Sequence, residues 1–530
     1  MRLTKCNTSN ISTNARSFQV SLPMNVEYII GVEESIRTLI EITERLDYSK
    51  LNSSYKRMPK TADATPKQMF QLIILGFMNG IYSLRELERS SRYDVRFLYI
   101  LNGKPAPDHN RFGTFIKTRL SNGVMEHLFY QLVHYLKEAG EIDLMNLFVD
   151  GTKIEANANK YSFVWKKATN KFESKLDIKI EALREKLLTN YPLLIQPDME
   201  LTDCLNILLK QAKDNEIVFV YGKGKRKTAI QRDIELLAEV CEKKGKYTEY
   251  NQTFKGRNSF SKTDKDATFM RMKDDHMMNG QLKPGYNWQI GVEGEYIVGV
   301  DISPERSDMA TLLPLLERME QGIGQRHQNV IADAGYESEE NYKGLVEREQ
   351  NAYIKPANYE KSKTRTYKKN KFLRENMEYN EVDDTFTCPN GNLFRFIYTT
   401  KRTSKTGFVS EISVYECDNC NYCPLKSQCT KAKGNRQISF SKDFARLRQA
   451  AHELITSEEG TELRLNRTIQ VEGAFGVIKQ DYGFRRLRRR GNQNVFTETL
   501  LYAFAFNINK KHNKKKREFE GVIKHSIKVS

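Results

Sequence analysis

The sequence predicts a mixed α/β core interrupted by one large helical insertion. Three observations carry this expectation. Leu147-Phe148-Val149 is a short apolar run that ends in Asp150-Gly151, the pattern of a buried strand with an acid at its C-terminal end. Residues 329–332 repeat that pattern and end in Asp333-Ala334-Gly335. Between them, residues 286–292 and 295–301 read as two strands of a hairpin about Glu293-Gly294. Helical stretches after Pro304 and Asp308, through Arg318, and over 339–350 separate the later strands, the last of which covers 352–355. The order is strand, insertion, strand, strand, helix, strand, helix, strand, which belongs to the α/β class.

The chain has 530 residues, enough for two to four domains with sizeable cores. No apolar run approaches the ~18 residues of a membrane span. The opening MRLTKCNTSN lacks the apolar segment of a signal peptide, so a cytoplasmic protein that spans no membrane is expected. Lys and Arg outnumber Asp and Glu by 85 to 67, a net charge of +18. That excess favours an anionic partner, nucleic acid before an acidic membrane surface.

In chain order, a helical segment covers 33–46. Pro66 opens a dense apolar helix that Gly80 breaks. Ser83 and Glu86 have the spacing of a capping box, and Arg85, Arg89, Arg92 and Arg96 then share one helical face. Asp108 caps a further helix through Arg119. This region is either a helix-turn-helix module or a helical domain with a solvated arginine face. Val124, Leu128, Leu132 and Leu136 mark another helix, ended by Gly140. Residues 170–245 contain two heptad-like segments, Leu176 to Leu187 and Ile230 to Cys241, which predict an antiparallel helical hairpin. The basic loop YGKGKRKT between them lacks P-loop spacing. Near the C-terminus, Val471, Phe475, Ile478 and Tyr482 recur at helical spacing. Glu472 and Lys479 fall on one face, Gly473 and Gly476 invite a bulky neighbour, and Gly483 ends the helix. Arg485, Arg486, Arg488, Arg489 and Arg490 follow, as a phosphate-binding cluster or a solvated charge run. A last helix over 497–509 precedes a lysine-rich tail, expected to be disordered.

Three carboxylates from three elements can hold two divalent cations and act on a phosphodiester without a side-chain nucleophile. At this point the motifs resemble a family. FVDGTKIEANANKYSFVW from Phe148, VIADAGYESEENY from Val330 and VEGAFGVIK from Val471 resemble the first-aspartate, second-aspartate and glutamate motifs of DDE transposases of bacterial insertion sequences. KPGYNWQIGVE from Lys283 is similar to the hairpin before the second aspartate, and residues 59–115 resemble the group's helical N-terminal domain. The resemblance spans about residues 59–510, in the family's order. It implies an RNase H-like core, a triad of Asp150, Asp333 and Glu472, two Mg²⁺ ions (or Mn²⁺), and metal-dependent cleavage at transposon ends followed by 3′-OH strand transfer. The implied partners are the terminal inverted repeats and target DNA, with a homodimer at synapsis. Lys479, the arginines at 485–490, and Arg85, Arg89 and Arg92 are the implied DNA contacts. The related Y-x2-R-x3-E-x6-K pattern is half kept: Lys479 fits, while Thr468 and Leu465 stand at the Arg and Tyr positions, so Arg467 or Arg464 substitutes. An RNase H-like nuclease without strand transfer and a catalytically silent DNA-binding derivative are the alternatives.

The expected domains are a helical DNA-binding domain (1–122), the start of the core (123–169), a helical insertion (170–262), the core with the second Asp (263–356), a basic Cys-rich zinc-binding insertion (357–445), the helical end of the core (446–509) and a basic tail (510–530). Within the Cys-rich part, Cys417, Cys420, Cys423 and Cys429 crowd together downstream of Cys388. In a reducing compartment that spacing favours structural zinc over disulfides, with Cys388, Cys420, Cys423 and Cys429 preferred and Cys417 as substitute. Free thiols are the other reading. Asp274, Asp275 and His276 fit a loop better than a metal trio, and Cys6, Cys204 and Cys241 are isolated.

Overall fold

The apolar strands assemble as one sheet. In the computed structural model, which describes residues 3–4, 19–20, 29–222, 224–272 and 280–525, six strands pair: β1 (Asn146–Glu155), β2 (Thr268–Arg271), β3 (Leu282–Glu293), β4 (Tyr296–Ser303), β5 (Asn329–Ala332) and β6 (Asn351–Ile354). Asp274, Asp275, His276 and Cys6 lie outside the described residues. β1 is central, antiparallel to β3 and parallel to β5, and β6 runs parallel to β5. β4 and β2 both pair with β3 on its other side, β4 along 287–293 and β2 along 282–285. The order is therefore β4-β3-β1-β5-β6. Leu147, Phe148 and Val149 are all fully buried, because both faces of the central strand are covered.

The hairpin turn sits one residue later than predicted. Gly294 and Glu295 are its central pair, both left-handed at φ 58° and 66°, as a tight hairpin on twisted strands requires. Glu293 instead ends β3 opposite Tyr296 and is buried against His327. After β4 the chain makes a short 3₁₀ turn, Asp308–Ala310, before the helix expected there. That helix (Leu312–Ile323) lies so close to β4 that a Cβ on Gly299 would come 2.2 Å from the Met319 sulfur.

The N-terminal region is helical: α1 (Ser35–Glu44), α2 (Pro66–Met78), α3 (Leu84–Tyr93), α4 (Val95–Leu101) and α5 (His109–Thr114), followed by α6 (Val124–Glu138). The capping box belongs to Thr65 and Gln68, at the start of α2 with Pro66 just inside. Ser83 makes no side-chain cap bond, so the box predicted there is absent. Arg96 leaves the predicted arginine face as well. α3 stops at Tyr93, Asp94 caps α4, and Arg96 is held by Asp94 and Asn79.

The predicted helical hairpin contains three helices, α7 (Lys166–Asn190), α8 (Leu201–Asp214) and α9 (Ala229–Phe254). α9 packs on both others around a core of its own. Leu201, Cys204 and Leu208 are the buried stripe of α8, so Cys204 is a core residue there. Residues 379–440 form a separate five-stranded antiparallel sheet whose long strands are β7 (Leu393–Thr403) and β8 (Val409–Cys417).

The chain returns to the first sheet through α10 (Lys442–Thr456), α11 (Glu458–Arg467) and α12 (Asn492–Lys516). α12 packs on β4, α2 and α6, which joins the N-terminal helices to the sheet. Phe504 is buried against Phe70 at 5.2 Å between ring centres, and each such buried ring contributes about 1.5–3 kcal/mol. The lysines at 510–516 are the end of this helix, where a disordered tail was expected. Lys511 and Lys514 are buried and donate to the buried Glu141 at 2.7 and 3.1 Å.

Candidate active site

β1 and β5 bring two acids together. Phe148 lies beside Ile331 in parallel register, so Asp150 and Asp333 each follow two residues beyond matched partners. Neighbouring strands are about 4.8 Å apart, which sets both carboxylates at one sheet edge. Each carboxylate is steadied by the backbone beyond it: Gly151 N donates to Asp150 Oδ1 and Gly335 N to Asp333 Oδ1, both at 2.8 Å. Tyr336, fully buried beneath them, has its hydroxyl held far above the ordinary range, first by burial and then by the charges of Asp308, Asp150 and Asp333.

Glu472 comes from the helical stretch that continues α11. That stretch is irregular, with π-helical segments Thr468–Glu472 and Val477–Asp481 flanking one α-turn. The first packs against β1 and β3. In a π-turn the backbone bond runs from residue i to i+5, so Glu472 lies nearer the helical face of Arg467 than an α-turn would put it. Arg467 is itself at the acids, with Nη1 4.0 Å from Asp150 Oδ2. Glu472 is exposed. A Cβ at Gly473 or Gly476 would meet nothing within 4 Å, so the surface beside Glu472 is open where the sequence suggested a crowded one. Among the described residues no three His, Cys, Asp or Glu side chains converge closely enough to hold a metal ion as they stand.

The arginine run is largely engaged within the protein. Arg486 donates to the carbonyls of Ala156 and Ala158 at 3.2 and 2.9 Å, and Arg490 to that of Asn157 at 2.6 Å. Arg488 lies over the Tyr82 ring, and Glu498 accepts from the backbone N–H groups of Arg488 and Arg489. These bonds strap 486–490 to the segment after β1. Arg485 is exposed, and Lys479 is half-buried. Arg85, Arg89 and Arg92 are exposed on α3, with Arg92 paired to Glu88.

Cys388, Cys417, Cys420, Cys423 and Cys429 line one small cavity of about 20 Å³. Burial, then the adjacent Cys420 and Cys388, pushes the Cys417 thiol up to about 12. The sulfurs accept N–H bonds: Cys388 from Asn390 at 3.3 Å, Cys420 from Arg436 N at 3.4 Å, and Cys429 from Arg436 Nη1 at 3.1 Å.

In the sequence Asp308 reads only as a helix start. Its Oδ1 accepts from Asn287 Nδ2 at 2.7 Å and Gln289 Nε2 at 3.2 Å. A signal was present: two buried amides, Asn287 and Gln289, alternate with Tyr286, Trp288 and Ile290 along one strand.

Two acids thus lie at one place on the sheet, and the helical segment that carries Glu472 packs beside them. Two family models match the chain. "Transposase DDE domain" covers residues 387–512, which include Glu472 and the cysteines, and "Transposase domain (DUF772)" covers residues 31–118, the N-terminal helices. No curated protein and no solved structure matches. These matches support a DDE transposase of an insertion sequence. DNA is the partner that this family implies, and no described helix is long and apolar enough to cross a membrane.

Proposed function

We propose that the protein cleaves a phosphodiester at the ends of its mobile element, exposes a 3′-hydroxyl and joins it to target DNA, with Asp150, Asp333 and Glu472 as the catalytic acids. The observation that carries this reading is the matched register of β1 and β5, which aligns two carboxylates at one strand edge while the helix bearing Glu472 packs on β1. The strand order, three antiparallel strands followed by two parallel ones, supports an RNase H-like core.

The donor set fits hard divalent cations. Carboxylate oxygens suit Mg²⁺ or Mn²⁺, and glycine at 335 leaves space beside Asp333 that a Cβ would enter at 3.0 Å. Bound there, a pair of such ions supplies charge neutralisation and activation of water or a 3′-hydroxyl. Asp150, Asp333 and Glu472 would hold them. Arg467, Lys479 and Arg485 grip flanking phosphates, and Arg486, Arg488, Arg489 and Arg490 set the shape of that rim. Arg85, Arg89 and Arg92 on α3 bind element-end DNA through its backbone. The domain division is retained, with the insertion read as three helices and 510–516 as part of α12. Synapsis of two ends calls for a homodimer. Four thiolates from Cys388, Cys417, Cys420, Cys423 and Cys429 hold a structural zinc, since N–H bonds to the sulfurs steady thiolate ligands.

The test uses full-length protein with end DNA in Mg²⁺. Asp150→Asn, Asp333→Asn and Glu472→Gln are expected to abolish cleavage and retain end binding. Normal cleavage by any one removes that residue from the triad. Cleavage without joining of a pre-cleaved end to target DNA would leave a nuclease, and no cleavage by the wild type would leave a DNA-binding protein.

A further inference from the structure

Asp308 stands beside this site without a role in it. Gln289 lies opposite Gly151 in the β1–β3 register, and side chains alternate along a strand, so Asn287, Gln289 and the carboxylate they hold are on the face away from Asp150. Asp333, at the strand end, is reached from that face too. A Cβ placed on Gly335 would be 3.0 Å from Asp333 Oδ1 and 3.4 Å from Asp308 Oδ2, so one small space borders both carboxylates. A Cβ on Gly151 would come 3.0 Å from Asp308 Oδ1 and collide with Gln289 at 2.2 Å, so glycine is what permits this approach.

A second feature belongs to the amide that holds Asp308. Asn287 is 1% exposed and directs Nδ2 to Asp308, while its own Oδ1 meets no donor. A buried oxygen without a partner is costly, and a cation with its bound water removes that cost. Gln289 completes the frame, because its Oε1 accepts from the Tyr336 hydroxyl and its Nε2 donates to Asp308.

We propose that Asp308 is a further cation ligand of this protein, sharing a divalent ion with Asp333 across the gap that Gly335 leaves open. The inference rests on the reading of Asp333 as a metal-binding acid. It assigns Gly335 the role of keeping the gap clear, and Asn287 and Gln289 the role of aiming the carboxylate.

The test is Mn²⁺ binding by the full chain without DNA, read from the electron paramagnetic resonance signal of free Mn²⁺. Wild type, Asp333→Asn, Asp308→Asn and Gly335→Ala are compared, with circular dichroism to verify folding. Asp308→Asn and Gly335→Ala are each expected to weaken Mn²⁺ binding at least ~10-fold, equivalent to about 1.4 kcal/mol. Gly335→Ala keeps both carboxylates and serves if Asp308→Asn does not fold. Loss of binding in Asp333→Asn with wild-type affinity in folded Asp308→Asn or Gly335→Ala overturns the role of Asp308 alone. Unchanged binding in Asp333→Asn overturns the metal-site reading itself.

Discussion

Arg467 Nη1 lies 4.0 Å from Asp150 Oδ2, and that nitrogen has no hydrogen-bond partner. A cation within the protein thus stands at the first acid of the proposed triad. In the proposed site it would compete with a divalent ion for Asp150 and would be available to a phosphate once an ion is bound. Arg467→Gln is expected to tighten Mn²⁺ binding by the DNA-free protein a few-fold and to slow end cleavage at least ~10-fold, since a charge-assisted bond is worth about 1.5–3 kcal/mol. A titration and a cleavage time course check the two halves, and weaker Mn²⁺ binding would refute the competition.

The arginine run divides into phosphate contacts and structural straps. Arg485→Ala is expected to weaken DNA binding across all sequences and reduce the salt slope by about 1, read by fluorescence anisotropy over a salt series. Arg486→Ala is expected to lower stability by about 1–3 kcal/mol, because the Ala156 and Ala158 carbonyls lose their donor. Thermal melting reads that loss. An unchanged melting temperature for Arg486→Ala would return it to the group of candidate DNA contacts.

Purified protein is expected to carry about one zinc per chain. Cys420→Ser should release it and unfold the 379–440 sheet, seen as greater proteolysis there. Less than about half an equivalent in the wild type would count against the site.

Stability should depend on pH through Glu141. Burial pushes its carboxyl up, but Lys511 and Lys514 outweigh burial and hold it below the ordinary value of 4.5. A depressed folded pKa means that the ionised form stabilises the fold fully above the unfolded value, and that this contribution fades as pH falls through the folded one. Glu141→Gln is expected to cost about 3–5 kcal/mol at pH 7, as it leaves the buried Lys514 ammonium without a carboxylate and Lys511 with Glu520 alone. In chemical denaturation the gap from wild type should narrow progressively below pH 4.5; a gap that widens there would contradict the ion cluster.

The strands and their acids were legible because a buried central strand must be apolar on both faces. Leu147 to Val149 and residues 329–332 announce themselves, with Asp150 and Asp333 where each apolar run stops. α8 was also legible in principle, from Leu201, Cys204 and Leu208 at helical spacing. The arginine roles were not, because whether Arg486 meets a phosphate or a carbonyl depends on where the segment after β1 lies, 330 residues away in the chain.

Local pattern by itself determined the acid after each apolar run, the helical face around Val471, the crowded cysteines and the basic charge, since periodicity and composition act over a few residues; that β1 continues past Asp150 to Glu155 was not legible. Tertiary structure alone decided that β1 and β5 run side by side, that π-turns interrupt the helix bearing Glu472, that Asp308 approaches Asp333 across a glycine, and that the final lysines neutralise Glu141. Those relations join residues far apart in the chain, and only the packing of whole elements sets their distances.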